Sequence, residues 1–327
     1  MRKKIFEILR SSDGKFVSGE ELAKKFSVTR TAIWKHINTL KKVGYKISAT
    51  EKKGYKLEGL PDLLLPELVQ ENLQTEILGI GDRFFYQTSL DSTNDFAKRI
   101  AAAGAADGTV VVSEEQTGGK GRLERKFFSP FGKGIWFSVI LRPKCTPKDA
   151  PKFTLLAAVA IAQTMEKFNL RAEIKWPNDI MHGKKKIVGI LTEMSASIEQ
   201  VNYIVVGMGI NVNIAQGEFP AELREIASSL SELKGENILR RDFFKTLLEE
   251  FEKIYKTVCA EGFGKIFDLW RKFNITLGHE VKVISAESGE SFCGKAIDID
   301  NEGALIVETS GGRRTVYAGD VSVRAKN

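Results

Sequence analysis

Several short segments of this sequence carry side chains suited to chemistry rather than to packing. Gln116-Thr-Gly-Gly-Lys-Gly-Arg122 sets glycines among a lysine and an arginine, and Lys126 follows soon after. Glycine lets backbone amides approach an anion closely and permits positive φ; Lys120 and Arg122 suit carboxylate or phosphate oxygens. Neither G-x-x-x-x-G-K-[ST] nor G-x-G-x-x-G occurs, so on its own the segment is a ligand loop or a surface turn. Lys175-Trp-Pro-Asn-Asp179 places a cation, an amide and a carboxylate directly after a β-rich run. That is a candidate catalytic cluster, or an ordinary turn. Lys186 lies beyond it in Lys184-Lys-Lys-Ile-Val-Gly-Ile190, itself readable as a solvated turn. Gly207-Met-Gly-Ile-Asn211 reads as a close backbone approach to a ligand or as a bulged strand. Ser92-Thr93-Asn94 reads as a helix cap whose hydroxyls and amide could equally face a polar ligand.

The elements that must hold these segments follow from periodicity. Strands are predicted over 83–87, 109–115, 134–142, 172–175, 186–193 and 202–210. Helices are predicted over 92–103, 152–168, 241–260 and 265–273, the second apolar enough to be buried. They interleave without strict βαβ spacing, which predicts an α+β or mixed-sheet domain. Beyond Gly278, short strands over 279–284, 291–298, 304–308, 313–317 and 321–324 predict a small barrel, with turns at Ser288-Gly289, Asn301-Glu-Gly303 and Gly311-Gly312.

The amino terminus reads differently. A helix over 2–10 is followed by a second, with Ser18 and Glu21 as a capping box. A third is capped by Thr29 and stopped by Gly44. Then come a strand over 45–49, a turn tipped by Lys52 and Lys53, and a return strand over 55–57. Three helices and a basic-tipped hairpin describe a winged helix-turn-helix. Its third helix presents Thr29, Arg30, Thr31, Trp34, Lys35 and Asn38, which would face DNA, while Lys52 and Lys53 would touch phosphates. The alternative is a helical docking module with solvated lysines.

Charge agrees with the DNA reading. Residues 1–60 carry 15 Lys+Arg and 6 Asp+Glu, a net of +9; the remainder carries 34 and 36, a net of −2, giving the chain's +7. Such asymmetry is that of a nucleic-acid-binding end on a nearly neutral body. The 327 residues exceed one ordinary domain. No secretory signal or membrane-length apolar run is seen, and the 3 cysteines suggest neither a disulfide framework nor a zinc site. A cytoplasmic location is expected.

Taken in order, Ser92-Thr93-Asn94, Gln116-x-x-Gly119-Lys120-Gly121-Arg122, Lys175-Trp-Pro-Asn178-Asp179, Lys186-Ile-Val-Gly189-Ile-Leu191-x-Glu193 and Gly207-x-Gly209-Ile-Asn211 resemble the bifunctional biotin–protein ligases that also act as biotin operon repressors. The likeness runs over essentially the whole chain. It implies an α+β multidomain fold: a winged helix-turn-helix at 1–62, a class II synthetase-like mixed α/β catalytic domain at 66–274 and an SH3-like small β-barrel at 275–327. It implies biotin and ATP as substrates with Mg²⁺, and no protein metal site. Biotin carboxyl carrier protein, operator DNA and a homodimer loaded with biotinyl-AMP are the implied partners. Arg122, Lys175, Asp179 and Lys186 would be catalytic. Ser92, Thr93, Asn94, Gln116, Gly119, Lys120, Gly121, Phe127, Asn178, Gly189, Leu191, Gly207, Gly209, Asn211 and Arg324 would bind biotin or nucleotide. The chain departs from the pattern at Phe127, where a tryptophan is usual, at Glu124, a frequent glycine, and at Lys120, a frequent arginine. A regulator whose ligase-like domain only senses a ligand is disfavoured by Arg122, Lys175, Asp179 and Lys186 together.

Overall fold

The computed structural model describes residues 1–285, 289–318 and 321–325, the last five by their backbone. Ser288, expected in a turn, lies outside the described residues. The chain divides into two compact units between Leu63 and Leu64.

The first unit comprises α1 (Arg2–Ser11), α2 (Gly19–Phe26), α3 (Arg30–Val43) and an antiparallel hairpin of β1 (Lys46–Thr50) and β2 (Gly54–Gly59). Ile5, Leu9, Leu22, Ile33, Ile37 and Leu40, spaced by helical turns, are buried as its core. The Thr29 hydroxyl accepts from Ala32 N at 3.2 Å, and Gly44 ends α3 in the left-handed region at φ 105°. The Ser18 cap differs from expectation. Its hydroxyl accepts from Glu20 N at 3.2 Å rather than from Glu21, since either amide of the first turn needs an acceptor. Arg30, Thr31, Trp34 and Lys35 are exposed along α3, and Lys52 and Lys53 are exposed at the hairpin tip.

The second unit opens with α4 (Pro66–Val69), β3 (Phe84–Gln87), α5 (Thr93–Ala102), β4 (Thr109–Ser113), β5 (Gly134–Leu141) and α6 (Lys152–Lys167). β6 (Glu173–Lys175), β7 (Asp179–His182), β8 (Lys185–Ala196) and β9 (Val201–Asn211) follow, then α7 (Leu230–Lys234), α8 (Arg240–Glu261) and α9 (Gly264–Phe273). The sheet order is β3-β4-β5-β9-β8-β7-β6; β3 and β4 are parallel and the other pairs antiparallel. α4, β7 and α7 were not expected; each is too short to show a period. β7 exists because the chain reverses at residues 176–178 and pairs back on β6.

The alternation along β9 decides the layout. Val206, Met208 and Ile210 point into the main core, where α6 is buried along nearly its whole length. Each large aliphatic side chain so buried contributes about 1.5–3 kcal/mol. Val205, Gly207, Gly209 and Asn211 occupy the opposite face. There Val205 packs with Ala97 and Ala101 of α5, and the glycines leave room.

A five-stranded antiparallel sheet completes the unit, in the order β13 (Gly312–Val316), β12 (Leu305–Thr309), β11 (Ser291–Ile299), β10 (Glu280–Ser285), β14 (Val321–Ala325). Its Val281, Val283, Ala296, Leu305 and Val307 belong to the same core as α6 and the large sheet.

Candidate active site

A cavity of about 400 Å³ opens on the glycine-bearing side of β8 and β9. Separate segments supply cations, among them Arg122, Lys175 and Lys186 with Arg125, Lys126 and Lys184 also on the lining, and polar groups, Asn178, Asp179 and Asn211. Phe127, Phe128, Phe219, Leu223 and Ile226 add an apolar wall. That volume and mixture suit a small-molecule ligand with anionic groups and a flat apolar part.

The Lys175–Asp179 segment is built into the core. Trp176 is fully buried; its backbone N–H donates to Thr276 Oγ1 at 2.9 Å and its indole N–H to Gly303 O at 3.1 Å. Asn178 Nδ2 donates to Ile190 O at 2.9 Å, which leaves its Oδ1 to accept from Arg122 Nη1 at 3.3 Å. Asp179 opens β7 opposite Gly189, and its Oδ1 lies 2.6 Å from Lys186 Nζ. Lys175 and Asp179 thus pair as strand ends across a turn at residues 176–178, so the turn read for Asn178 is present and it lies at the cavity. Arg122 also donates to Ala318 O. Lys175 has no ion-pair partner among the described residues and is free to take an anion. Asn211 is buried and donates to Ser228 O at 2.9 Å.

The glycines behave differently from expectation. Gly118, Gly119 and Gly121 all have ordinary φ; the left-handed residue of this loop is Leu123, at φ 56°. Gly119 is required by crowding instead, because a Cβ there would lie 2.6 Å from Phe127 O and 2.9 Å from Ser129 Oγ. On the sheet, a Cβ on Gly209 would lie 2.6 Å from the Phe127 ring, one on Gly189 2.8 Å from it, and one on Gly207 would strike the Asn94 amide. The close approach read for Gly207 and Gly209 is thus made by the protein's own side chains. Phe127 also stacks edge-on against Trp136 at 5.9 Å and lies 5.7 Å beneath Lys186 Nζ.

Beside this lies a buried polar cluster. Thr93 donates through N and Oγ1 to Gln116 Oε1 at 2.8 and 3.1 Å. Gln116 Nε2 donates to Ser129 Oγ at 3.0 Å, and Ser138 Oγ lies 2.6 Å from Asn94 Oδ1. Ser92 caps α5, accepting from Asp95 N at 3.4 Å. Ser129 and Ser138 were missed by the sequence reading. Ser138 had a signal: it is the one polar residue in the buried run of β5. The wall of Phe219, Leu223 and Ile226 had none, because isolated apolar residues in a loop look like packing. Lys120 does not line the cavity, and Leu191 lines a neighbouring groove of about 270 Å³. The side chains of Glu124 and Arg324 lie outside the described residues. No group of three or more His, Cys, Asp or Glu able to hold a metal occurs among the described residues. Burial pushes the Cys145 thiol up to about 11, so it is no nucleophile at neutral pH.

Comparison with known proteins gives this geometry a family. Residues 86–211 match the biotin/lipoate A/B protein ligase family, 2–56 an HTH domain and 276–324 the biotin protein ligase C-terminal domain. The bifunctional ligase/repressor BirA of Bacillus subtilis is 39% identical, over 99% of this chain and 98% of its own. That of Escherichia coli is 30% identical, over 96% and 95%. The structure of the Aquifex aeolicus biotin protein ligase in complex with biotin and ATP superposes with a TM-score of 0.65 at 26% identity, covering 74% of this chain and 99% of that one. With likeness across nearly its entire length to proteins that join a ligase to a repressor, the chain belongs to the bifunctional biotin–protein ligase/repressor family.

Proposed function

We infer that the chain activates biotin with ATP, transfers it to a lysine of a carrier protein, and represses transcription through its amino-terminal winged helix. The observation that carries this is the cavity in which Arg122, Lys175 and Lys186 converge with Asp179 and Asn178. Biotin carboxylate and ATP are both anionic. Joining them as biotinyl-5′-AMP, with pyrophosphate leaving, brings together groups that repel. Preorganised cations offset that repulsion and stabilise the charge of the transition state. Lys186, held by Asp179 at 2.6 Å, is assigned to the biotin carboxylate and the α-phosphate, with Arg122 and Lys175 on the remaining oxygens. Mg²⁺ enters with the nucleotide phosphates as MgATP, in keeping with that ion's preference for phosphates and water over all-protein cages.

The polar cluster of Ser92, Thr93 and Gln116 is assigned to the ureido group, which needs neutral hydrogen bonds in an otherwise apolar surround. Phe127 is assigned to the adenine side, and Asn211 to ribose or phosphate. In the second step the acceptor lysine must lose a proton before its amine attacks the acyl carbonyl and AMP leaves. Asp179 is the base or positioning group for that proton.

Three working parts are proposed: DNA binding in 1–62, chemistry in 66–274, and a carboxy-terminal part in 275–327. Beyond Ile190, β8 has β9 on one side and, among the described residues, no strand on the other, and Met194 is 47% exposed there. An unpaired edge beside the site is a place for carrier or a second copy to add. We assign it to a homodimer favoured by biotinyl-AMP, the form a palindromic operator requires. Unused adenylate would then signal that carrier is saturated. A cytoplasmic setting accords with this role.

The test is transfer of label to a biotin carboxyl carrier domain with MgATP, biotin and lipoate side by side. Biotin-dependent transfer is expected. Adenylate-free binding of biotin with no transfer would leave only a sensor. Deleting residues 1–62 is expected to abolish operator binding and leave transfer largely intact; retained operator binding would overturn the role of the winged helix.

A further inference from the structure

A chain of ion pairs around α5 has no part in the mechanism above. Lys120, in the glycine-rich segment, pairs with Asp95 of α5 at 2.6 Å. Asp95 pairs in turn with Lys98 at 2.9 Å, and Lys98 with Glu193 of β8 at 2.6 Å. The other Glu193 oxygen accepts from Asn94 Nδ2 at 2.8 Å, and the same amide reaches Leu191 O at 3.2 Å. Charges alternate from strand to helix to loop, so each is flanked by its opposite.

The inner members are partly enclosed: Asp95 is 20% exposed and Lys98 33%, against 53% for Lys120. Burial would raise the Asp95 carboxyl, yet its hydrogen bonds to Lys120 and Lys98 hold it below the ordinary carboxylate range. Burial would lower Lys98, yet Glu193 and Asp95 hold it above the ordinary lysine value. A depressed acid contributes stability above its unfolded pKa and loses it as pH falls through the folded value. A raised base contributes below its unfolded pKa and loses it as pH rises through the folded one. The Asp95–Lys98 pair therefore contributes across the neutral range, and is weakened as acid protonates Asp95 or base deprotonates Lys98. A lone exposed pair would do little, but these pairs are anchored on a helix and a strand, so less side-chain freedom is lost in forming them.

The loop needs such an anchor. Beyond Gly118, whose N–H donates to Asp91 O at 2.9 Å, Arg122 ties one end to Asn178 and Ala318. Lys120 ties the other end to α5. We propose that Asp95 and Lys98 are positioning residues for the reaction, holding Gly121 and Arg122 at the cavity over the bound intermediate through the neighbouring Lys120 and so slowing its escape. This rests on the ligase reading above and adds residues that the mechanism does not use.

The experiment loads full-length protein with labelled biotin and MgATP, removes free ligand, and follows release of biotinyl-AMP. Asp95→Asn is expected to release it about three- to tenfold faster and to raise KM for biotin, while single-turnover adenylation at saturating substrates stays within about twofold. Asp95→Glu is expected to restore slow release. About 1 M NaCl should speed release from the wild type and change the Asp95→Asn variant little. In a Lys120→Ala background Asp95→Asn should add nothing. Unchanged release by Asp95→Asn overturns the proposal, as does an equal acceleration in the Lys120→Ala background. Should Asp95→Asn fail to fold, Lys98→Met is expected to accelerate release in the same way, and its failure to do so is equally fatal. Wild type that forms no biotin-dependent adenylate sinks the ligase reading itself; wild type that forms it, with a variant that retains it equally well, sinks only this inference.

Discussion

The two segments that meet over the cavity are held by different forces. Lys175–Asp179 lies between β6 and β7, its tryptophan is fully buried, and its backbone and indole N–H groups both bond to the chain that leads into and through the carboxy-terminal sheet. The glycine-rich segment crosses the surface instead. Its ties include the Lys120 pair, Arg122 on Asn178 and Ala318, and backbone bonds of Thr117 to Leu90, Gly118 to Asp91 and Phe127 to Gly119. Residues fixed by core packing hold a geometry before substrate arrives, which charge stabilisation of a transition state requires. Residues held by a few polar contacts open at low cost, which entry and release require. On the proposed function, the same cavity joins a wall fixed by core packing to a loop assigned to retention.

The largest effect should come from the wall. Lys186→Ala removes the cation placed between Asp179 and the Phe127 ring. Adenylate formation should fall by roughly a hundred- to a thousandfold, the usual loss of about 2.7–4 kcal/mol for one preorganised contact. Biotin-dependent pyrophosphate exchange within threefold of wild type would break the contrast between wall and loop.

Asp179→Asn should separate the half-reactions. Adenylate should still form, while transfer from pre-formed adenylate to carrier slows by about ten- to a hundredfold, most near neutral pH. Chasing loaded enzyme with carrier isolates that step. Equal losses in both steps would make Asp179 a general support for Lys186, to which it is paired.

The smallest effect on catalysis should come from the support. Trp176→Phe keeps one aromatic ring but removes the fused pyrrole from a fully buried site and leaves the buried Gly303 carbonyl without its indole donor. Stability should fall by about 1–3 kcal/mol, read as a lower urea midpoint, with turnover at saturating substrate changed less than about threefold. A large loss of turnover at unchanged stability would show that this segment is not the rigid wall described.

Much of this was legible in advance because its signals are local. Ser18, Thr29 and Gly44 mark helix ends by backbone chemistry that depends on no distant residue. The apolar run of α6 announced its burial, and the glycines and amide closing β9 marked a face with space on it. The charged motifs pointed to Arg122, Lys175 and Lys186 of the cavity but not to Arg125 or Lys184, which look like solvated surface. β7 was missed because a strand so short is made by pairing rather than by its own alternation.

By itself the sequence determined the basic winged helix, the mixed sheet, the small terminal sheet and several of the polar and charged side chains that line the cavity. These follow from periodicity, capping and charge, which act over a few residues. Only the tertiary structure decided which residues share a surface. It set Asp179 on Lys186 and seated Phe127 on the bare faces of Gly189 and Gly209. It turned Lys120 away from the cavity to Asp95. It made the glycines of the loop a matter of crowding rather than of unusual φ, because close contact between distant segments is fixed by packing and leaves no mark on local sequence.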